Sequence, residues 1–157
     1  MDALPFRSEL QIVSGGQTGV DLAALDVAIE LGMPHGGWCP RGRRFERGRI
    51  PDQYCLRETE SANYRVRTEQ NVVDSDGTLV LYRGSLTGGT AFTVRMAMKH
   101  ARPCLQLDLD ADPDPARLQV WIDKQALLRL NVAGPRESTS PGIHDQAHRF
   151  LQAAFRG

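Results

Sequence analysis

The chain has 157 residues, of which 41% are hydrophobic and 24% are charged. This length predicts a single domain over residues 1–157, and the composition excludes intrinsic disorder as the main state of the chain. Basic and acidic residues number 19 each. The chain therefore lacks the basic excess that is typical of nucleic-acid-binding proteins, and we expect no nucleic-acid partner.

The sequence contains no apolar stretch that approaches the roughly 20 residues needed to span a bilayer. Residues 1–9 also lack the pattern of a signal peptide. The three cysteines are widely spaced, which argues against a disulfide framework and against a zinc site. We therefore expect a cytoplasmic protein with reduced thiols, no membrane partner and no metal ligated by its side chains.

Short apolar segments alternate with amphipathic segments along the chain. In chain order they predict a strand at residues 10–13, a helix at 20–31, a strand at 33–38, a long loop rich in Arg and Gly at 39–52, a helix at 62–73, a strand at 78–82, a helix at 91–100, a strand at 103–107, a helix at 115–125, a strand at 128–132 and a helix at 143–155. Such alternation is typical of a parallel sheet with helices on both faces. The predicted fold class is therefore α/β, a doubly wound parallel sheet in three layers.

Three of the predicted strands lead into loops rich in Gly, Ser and Thr, and each of these loops precedes a helix. In an open parallel sheet, ligands bind beyond the carboxyl ends of the strands. Backbone N–H groups in such loops and the positive end of the helix dipole both attract anions. The three loops, at residues 14–19, 84–90 and 133–142, therefore predict an anion-binding crevice.

The first two loops supply the main candidate binding residues, which are Gly15, Gly16, Gln17, Thr18, Gly19, Thr87, Gly88, Gly89 and Thr90. The first loop lacks the Gly-x-Gly-x-x-Gly spacing of dinucleotide-binding folds and the Lys of a Walker loop. Each loop taken alone is also consistent with a tight turn or a helix cap. In the third loop, Arg136 is a candidate partner for an anion, and Ser138 is a candidate for capping the last helix or for binding oxygen.

The Arg-rich loop offers further candidates. Arg41 and Arg44 are equally consistent with recognition of phosphate or carboxylate and with a solvated loop. Arg residues farther along, such as Arg65 and Arg67, are interpreted as solvated. Asp21, in the first predicted helix, is interpreted as a cap, an ion-pair partner or a solvated residue. No catalytic residue is predicted from these patterns.

Two further pairs of residues have a bearing on ligand binding. Trp38 and Tyr64 are candidates for stacking on a flat heterocycle. His144 and His148 share a helix face, but no adjacent Glu completes a metalloprotease motif, so we interpret them as surface residues.

Several segments of the chain together carry a family resemblance. They are residues 12–21 (IVSGGQTGVD), 37–43 (GWCPRGR), 67–72 (RTEQNV), 75–78 (SDGT), 87–90 (TGGT) and 131–138 (NVAGPRES). In combination they resemble the molybdenum cofactor carrier family, which is related to YpsA-like proteins of the SLOG superfamily. The resemblance covers about residues 10–155.

The resemblance implies a Rossmann-like homo-oligomer, a dimer or tetramer, that binds the molybdenum cofactor and stores it, protects it or delivers it to molybdoenzymes. This cofactor is a pterin with a terminal phosphate, and its own dithiolene holds the metal. The positions that match the family's binding loops are Gly16, Gln17, Thr18, Gly19, Thr87, Gly88, Gly89 and Thr90, with Arg41 and Ser138 as secondary candidates.

The chain departs from the catalytic relatives of this family. Phosphoribohydrolases of the same superfamily have a Pro-Gly-Gly-x-Gly-Thr-x-x-Glu pattern whose carboxylate supports glycosidic cleavage, whereas residues 88–93 here read GGTAFT and lack the Glu. Binding is therefore favoured over catalysis. The alternatives are a nucleotide-binding or nucleotide-hydrolysing protein, acting as an N-glycosidase or a phosphohydrolase, and a nucleotide-sensing module. A carboxylate of Asp21 or Glu69 beside the ligand would favour the enzyme.

Overall fold

The structure of the protein, a computed structural model, describes residues 9–156. Its helices are α1 (Val20–Glu30), α2 (Tyr64–Val73), α3 (Gly88–Lys99), α4 (Ala116–Gln125) and α5 (Ile143–Arg156). Its strands are β1 (Gln11–Val13), β2 (His35–Gly36), β3 (Trp38–Cys39), β4 (Arg44–Phe45), β5 (Gly48–Arg49), β6 (Arg57–Glu58), β7 (Gly77–Tyr82), β8 (Cys104–Asp108) and β9 (Arg129–Ala133).

Five of these strands form one parallel sheet in the order β2-β1-β9-β7-β8. The last strand of the chain, β9, lies between β1 and β7, where Leu130 is beside Ile12 and Asn131 is beside Thr78. The central strand β7 is an apolar run whose residues Leu79 and Val80 are fully buried, as expected for a strand covered on both faces. The predicted α/β fold class with a parallel sheet is confirmed.

The helices form a layer on each face of the sheet. α5 packs against α1 and α4 on one face, and α2 packs against α3 on the other. Right-handed crossovers require this, because the chain moves in one direction across the sheet through α1 and α4 and in the other through α2 and α3. The apolar residues of α5 recur at helical spacing, and Ile143, Ala147, Phe150 and Leu151 are all buried in the larger core.

The predicted strand at residues 33–38 is two separate strands. β2 belongs to the main sheet, whereas β3 pairs with β6 in a small sheet of its own. Gly37 separates them with a φ of 134°, and a Cβ atom there would lie 2.2 Å from the carbonyl oxygen of Ser14. Asn71 then pairs with the Trp38 backbone, accepting from its N–H at 2.7 Å and donating to its carbonyl at 2.9 Å. The Asn71 side chain thus makes hydrogen bonds to the β3 backbone of the kind that a neighbouring strand makes.

The predicted loop at residues 39–52 has structure of its own, because it contains the β4–β5 hairpin. Arg43 organises this region, although it is charged, and its side chain is only 8% exposed. Its guanidinium donates hydrogen bonds to the carbonyls of Ile50, Leu56, Pro51 and Tyr54 at 2.8 to 3.3 Å. The segment is therefore a folded hairpin held by one buried cation.

Helix α3 begins at Gly88, three residues before the predicted start. The two glycines at its first positions gave no apolar periodicity from which the true start could be predicted. Within residues 9–156, no helix has both the length and the apolar character required to cross a bilayer.

Candidate functional site

The loops that follow β1, β9 and β7 meet at the edge of the sheet where these strands end. Because α1 leaves β1 toward one face and α3 leaves β7 toward the other, the chain parts above the end of β9. A cavity of about 330 Å³ opens at this point, lined by residues from these loops and from α1, α2 and α3. Its volume falls within the range of about 300–1,000 Å³ that is usual for small-molecule sites. This cavity is the candidate functional site.

Asp21, in the first turn of α1, lines the cavity and is only 3% exposed. Its Oδ2 accepts hydrogen bonds from the backbone N–H of Gln17 at 3.2 Å and from Nη1 of Arg67 at 3.3 Å. Burial raises the pKa of the Asp21 carboxyl from its ordinary value of 3.8 to about 6, although the Arg67 cation and the Gln17 N–H act to lower that pKa. The carboxyl is therefore ionised at neutral pH and takes up a proton in mildly acidic solution.

Gly15 makes room for the guanidinium that pairs with this carboxyl. A Cβ atom at position 15 would lie 1.9 Å from Nη1 of Arg67, whose side chain is 14% exposed. Burial lowers the pKa of Arg67, and the Asp21 carboxylate opposes that shift. Nε of Arg67 is buried and has no hydrogen-bond partner among residues 9–156. The absence of a side chain at position 15 is what allows the Arg67–Asp21 ion pair.

Gln17 also lines the cavity and is 2% exposed. Its Nε2 donates to the carbonyl of Arg44 at 2.9 Å, which leaves Oε1 buried without a partner in the described part of the chain. An unpaired buried acceptor costs about 1–3 kcal/mol. A ligand that donates a hydrogen bond to this oxygen would recover that free energy.

One wall of the cavity combines aromatic rings with cations. The Arg136 guanidinium lies 4.7 Å from the centre of the Tyr64 ring, and that of Arg65 lies 4.7 Å from the centre of the Phe92 ring. With Arg67, three Arg side chains line the cavity together with a single carboxylate. The positive charge of this lining favours anions, and the Tyr64 and Phe92 rings already have Arg side chains over them.

The N-terminus of α3 opens on the cavity through residues 87–90. The side chain of its N-cap residue, Thr87, makes no capping hydrogen bond, whereas Asn63 caps α2 by accepting from the N–H of Arg65 at 2.9 Å. Among residues 9–156, the backbone N–H groups at positions 88, 89 and 90 have no acceptor. A Cβ atom at Gly88 or Gly89 would meet nothing within 4 Å. Three amides are thus available to an anion.

Thr18 and Ser138 lie outside the residues that line the cavity. Both hydroxyls donate hydrogen bonds to the carboxylate of Glu46, in the turn between β4 and β5, and the N–H of Ser138 donates to it at 3.3 Å. The Thr18 hydroxyl oxygen also accepts from the N–H of Glu137 at 3.1 Å. The first loop, the third loop and the hairpin are therefore joined by the exposed Glu46 carboxylate.

The other candidates of the first loop serve close packing of the backbone. Gly16 and Gly19 have φ of 77° and 82°. A Cβ atom at Gly19 would lie 2.2 Å from the carbonyl oxygen of Pro135. Arg41 is exposed and does not line the cavity. Of the residues that the sequence offers for ligand binding, the cavity lining includes Gln17, residues 87–90, Arg136 and Tyr64. Ligand contact by any of them stays a prediction.

Asp21 and Glu69 are the two carboxylates that the sequence offers as groups beside a ligand. Glu69 does not line the cavity, because its Oε2 accepts from Nζ of Lys99 at 3.0 Å and bonds Nε2 of His100 at 2.6 Å. In the chain from residue 9 to residue 156, no three side chains of His, Cys, Asp or Glu are placed to hold a metal ion. Asp21 is therefore the carboxylate beside the cavity.

The sequence interpretation missed Arg67 and left Asp21 open between three roles. The sequence pattern favours a solvated Arg67, and this prediction is wrong, because the side chain is largely buried at the cavity. The two residues are 46 positions apart in the chain. No local pattern links residues at that separation, so the ion pair carries no sequence signal that could have been found.

A cavity with a positive lining at the switch point of a doubly wound sheet defines a Rossmann-like protein with a candidate site for a small ligand. The chain belongs to the circularly permutated YpsA SLOG family, for which a family model matches residues 12–155. It is similar to the crystal structure of a "Putative molybdenum carrier protein" from Syntrophus aciditrophicus SB, with 42% sequence identity, a TM-score of 0.89, and coverage of 94% of this chain and 95% of that chain. No curated protein matches it. The family resemblance predicted from the sequence is confirmed.

Proposed function

We propose that this protein binds the molybdenum cofactor, a phosphorylated pterin, in the cavity above β9 and stores or delivers it. The observation that carries the proposal is the uncapped N-terminus of α3, where residues 88–90 line the cavity and their amides have no acceptor among residues 9–156. An anion at this position accepts hydrogen bonds from the amides and is stabilised by the positive end of the helix dipole. The similar structure named as a molybdenum carrier supports the choice of cofactor.

The lining residues fit the other parts of this ligand. Arg65, Arg67 and Arg136 provide positive charge for its phosphate and oxo groups. Tyr64 and Phe92 line the cavity and give a pterin apolar ring surface beside the Arg side chains that lie over them. The dithiolene of the cofactor holds the metal, so the protein needs to bind and shield the ligand and need not supply a metal ligand.

The same proposal extends to the setting in which the protein acts. A carrier that holds a reactive cofactor must release it to a recipient, so we include molybdoenzymes as partners and the cytoplasm as the location. We also include a homodimer or homotetramer as the assembled form. Native mass spectrometry of the purified protein measures its subunit number directly, and a monomer at working concentration would contradict the last point.

Native mass spectrometry of freshly purified protein also tests the binding proposal. The protein is incubated with molybdenum cofactor, with GMP or with buffer alone, and the retained masses are compared. We expect one cofactor per chain. We expect Gly89→Val to lose the cofactor, because its side chain would occupy the open space at the N-terminus of α3. Retention of nucleotide without any pterin species would contradict the proposal.

A second candidate function is hydrolysis of a nucleotide at the same cavity. It is favoured by one observation, which is that the buried Asp21 carboxyl with a pKa of about 6 lines the cavity, as a general acid or base would. Incubation with nucleoside monophosphates, followed by chromatography for free base and free phosphate, distinguishes the two functions. Turnover that is lost in Asp21→Asn would favour the enzyme, and absence of turnover would leave the carrier.

A further inference from the structure

The wall formed by the first loop and α1 carries hydrogen-bonding groups that no protein atom satisfies. Oε1 of Gln17 has no donor, and its amide cannot be reversed, because Nε2 is required by the carbonyl of Arg44. Asp21 uses only Oδ2 in its hydrogen bonds to residues 9–156, which leaves Oδ1 as a second acceptor. Nε of Arg67, the residue that pairs with Asp21, is an unpaired donor. The wall therefore contains acceptors from two residues and one donor from a third that have no partner among residues 9–156, and Gln17 Oε1 and Arg67 Nε are both buried.

These groups define the ligand edge that complements them. Two acceptors, one of them a carboxylate, require two neighbouring N–H donors, and the guanidinium Nε requires an acceptor next to those donors. A 2-amino-4-oxopyrimidine ring offers this set through its exocyclic amine, its ring N–H and its carbonyl oxygen. Guanine and pterin share this edge. Adenine has an acceptor in place of the ring N–H, and hypoxanthine lacks the exocyclic amine.

The same cavity places this wall at a suitable distance from the site for phosphate. Asp21 and Gln17 follow β1, whereas the free amides of α3 follow β7, and β9 lies between these strands. Two strand spacings separate the ends of β1 and β7 by about 10 Å. A ligand that spans the cavity therefore meets acceptors at one end and anion-binding amides at the other.

We propose that Asp21 and Gln17 select ligands that carry a 2-amino-4-oxopyrimidine edge, the hydrogen-bonding edge common to guanine and pterin. This inference rests on the proposed function, because it concerns the same cavity and names the part of the ligand that hydrogen bonds recognise there. Oδ1 of Asp21 accepts from one of the two neighbouring N–H donors of the edge, and Gln17 Oε1 accepts from the other. Arg67 holds the carboxylate in place through the bond from Nη1 to Oδ2.

Isothermal titration calorimetry with four probes tests the selection. We expect GMP to bind at least about tenfold more tightly than IMP, which lacks the exocyclic amine, since hydrogen bonds to a charged group contribute this much or more. XMP, which carries an oxygen in place of the amine, binds more weakly still. Neopterin monophosphate tests the pterin form of the edge. Equal affinity for GMP and IMP would overturn the inference.

The Asp21→Asn variant separates the edge from the phosphate site. We expect it to weaken binding of neopterin monophosphate and GMP about tenfold and not to weaken binding of inorganic pyrophosphate, because the variant removes a negative charge from the cavity. Asp112→Asn, on the exposed turn after β8 and outside the cavity lining, is the matched control and should change neither. The preference for GMP over IMP should also decline as the pH falls through about 6, because protonated Asp21 loses an acceptor.

The outcomes distinguish this inference from the proposed function. If Asp21→Asn binds neopterin monophosphate as tightly as the wild type does, Asp21 does not recognise the 2-amino-4-oxopyrimidine edge. The proposed carrier function is unaffected by that result. If the wild type binds neither neopterin monophosphate nor the cofactor but prefers GMP to IMP, the cavity recognises the edge, and the proposed carrier function is wrong. If none of the probes binds, both are wrong.

Discussion

Replacement of Asp21 by Asn should make the stability of the protein depend differently on pH. In the folded protein the carboxyl is 3% exposed, and burial is the largest influence on its pKa, which rises from 3.8 to about 6. A raised pKa means that folding favours the protonated form. The stability contributed by this group is fully present below its unfolded pKa near 4 and is lost as the pH rises through about 6.

The size of the effect follows from the two pKa values. Each pKa unit corresponds to about 1.4 kcal/mol, so the rise from 3.8 to about 6 corresponds to about 3 kcal/mol between acidic and neutral solution. The variant also leaves the buried Arg67 cation without its carboxylate, which adds a loss of stability of its own. That loss changes the size of the difference in unfolding free energy between the wild type and Asp21→Asn. The test is therefore how this difference varies with pH.

Urea unfolding at several pH values between about 4 and 7 measures this dependence. The free energy of unfolding of the wild type minus that of Asp21→Asn should fall by about 2–3 kcal/mol across this range. Asp112→Asn, at an exposed position, should show no comparable fall. A difference between wild type and Asp21→Asn that stays constant with pH would refute the conclusion that the cavity holds a buried carboxyl.

Three further predictions concern the loops and the packing of the helices. Gly89→Val should keep its melting temperature, because a Cβ meets nothing within 4 Å, while phosphate-ligand affinity measured by calorimetry falls at least about tenfold; unchanged affinity would place the anion elsewhere. Gly19→Ala should lose more than about 2 kcal/mol in urea unfolding, because its φ is 82° and the Cβ would lie 2.2 Å from Pro135 O; a neutral result would refute that contact. The hydrogen bond of 2.8 Å to Asp26 raises the pKa of His144, so His144→Gln should cost about 1 kcal/mol more at pH 5.5 than at pH 8.5; equal losses would show that folding does not raise the pKa of His144.

Much of the fold follows from local patterns in the sequence. The apolar run of β7 predicts a strand buried on both faces, and the spacing of Ile143, Ala147 and Phe150 predicts the buried face of α5. Alternation of such segments limits the architecture to a parallel sheet with helices on both sides. The loop at residues 87–90 was also predicted as an anion-binding segment, and it does line the cavity.

Local patterns do not determine which distant segments become neighbours. Only the tertiary structure places β9 between β1 and β7, and that position creates the cavity above its end. It also turns Arg67 inward to Asp21 and directs Thr18 and Ser138 to Glu46, since each of these contacts joins residues far apart in the chain. Periodicity reports which face of an element is buried. The identity of the buried partner depends on how all elements pack together, and the charge and pKa of the site depend on that partner.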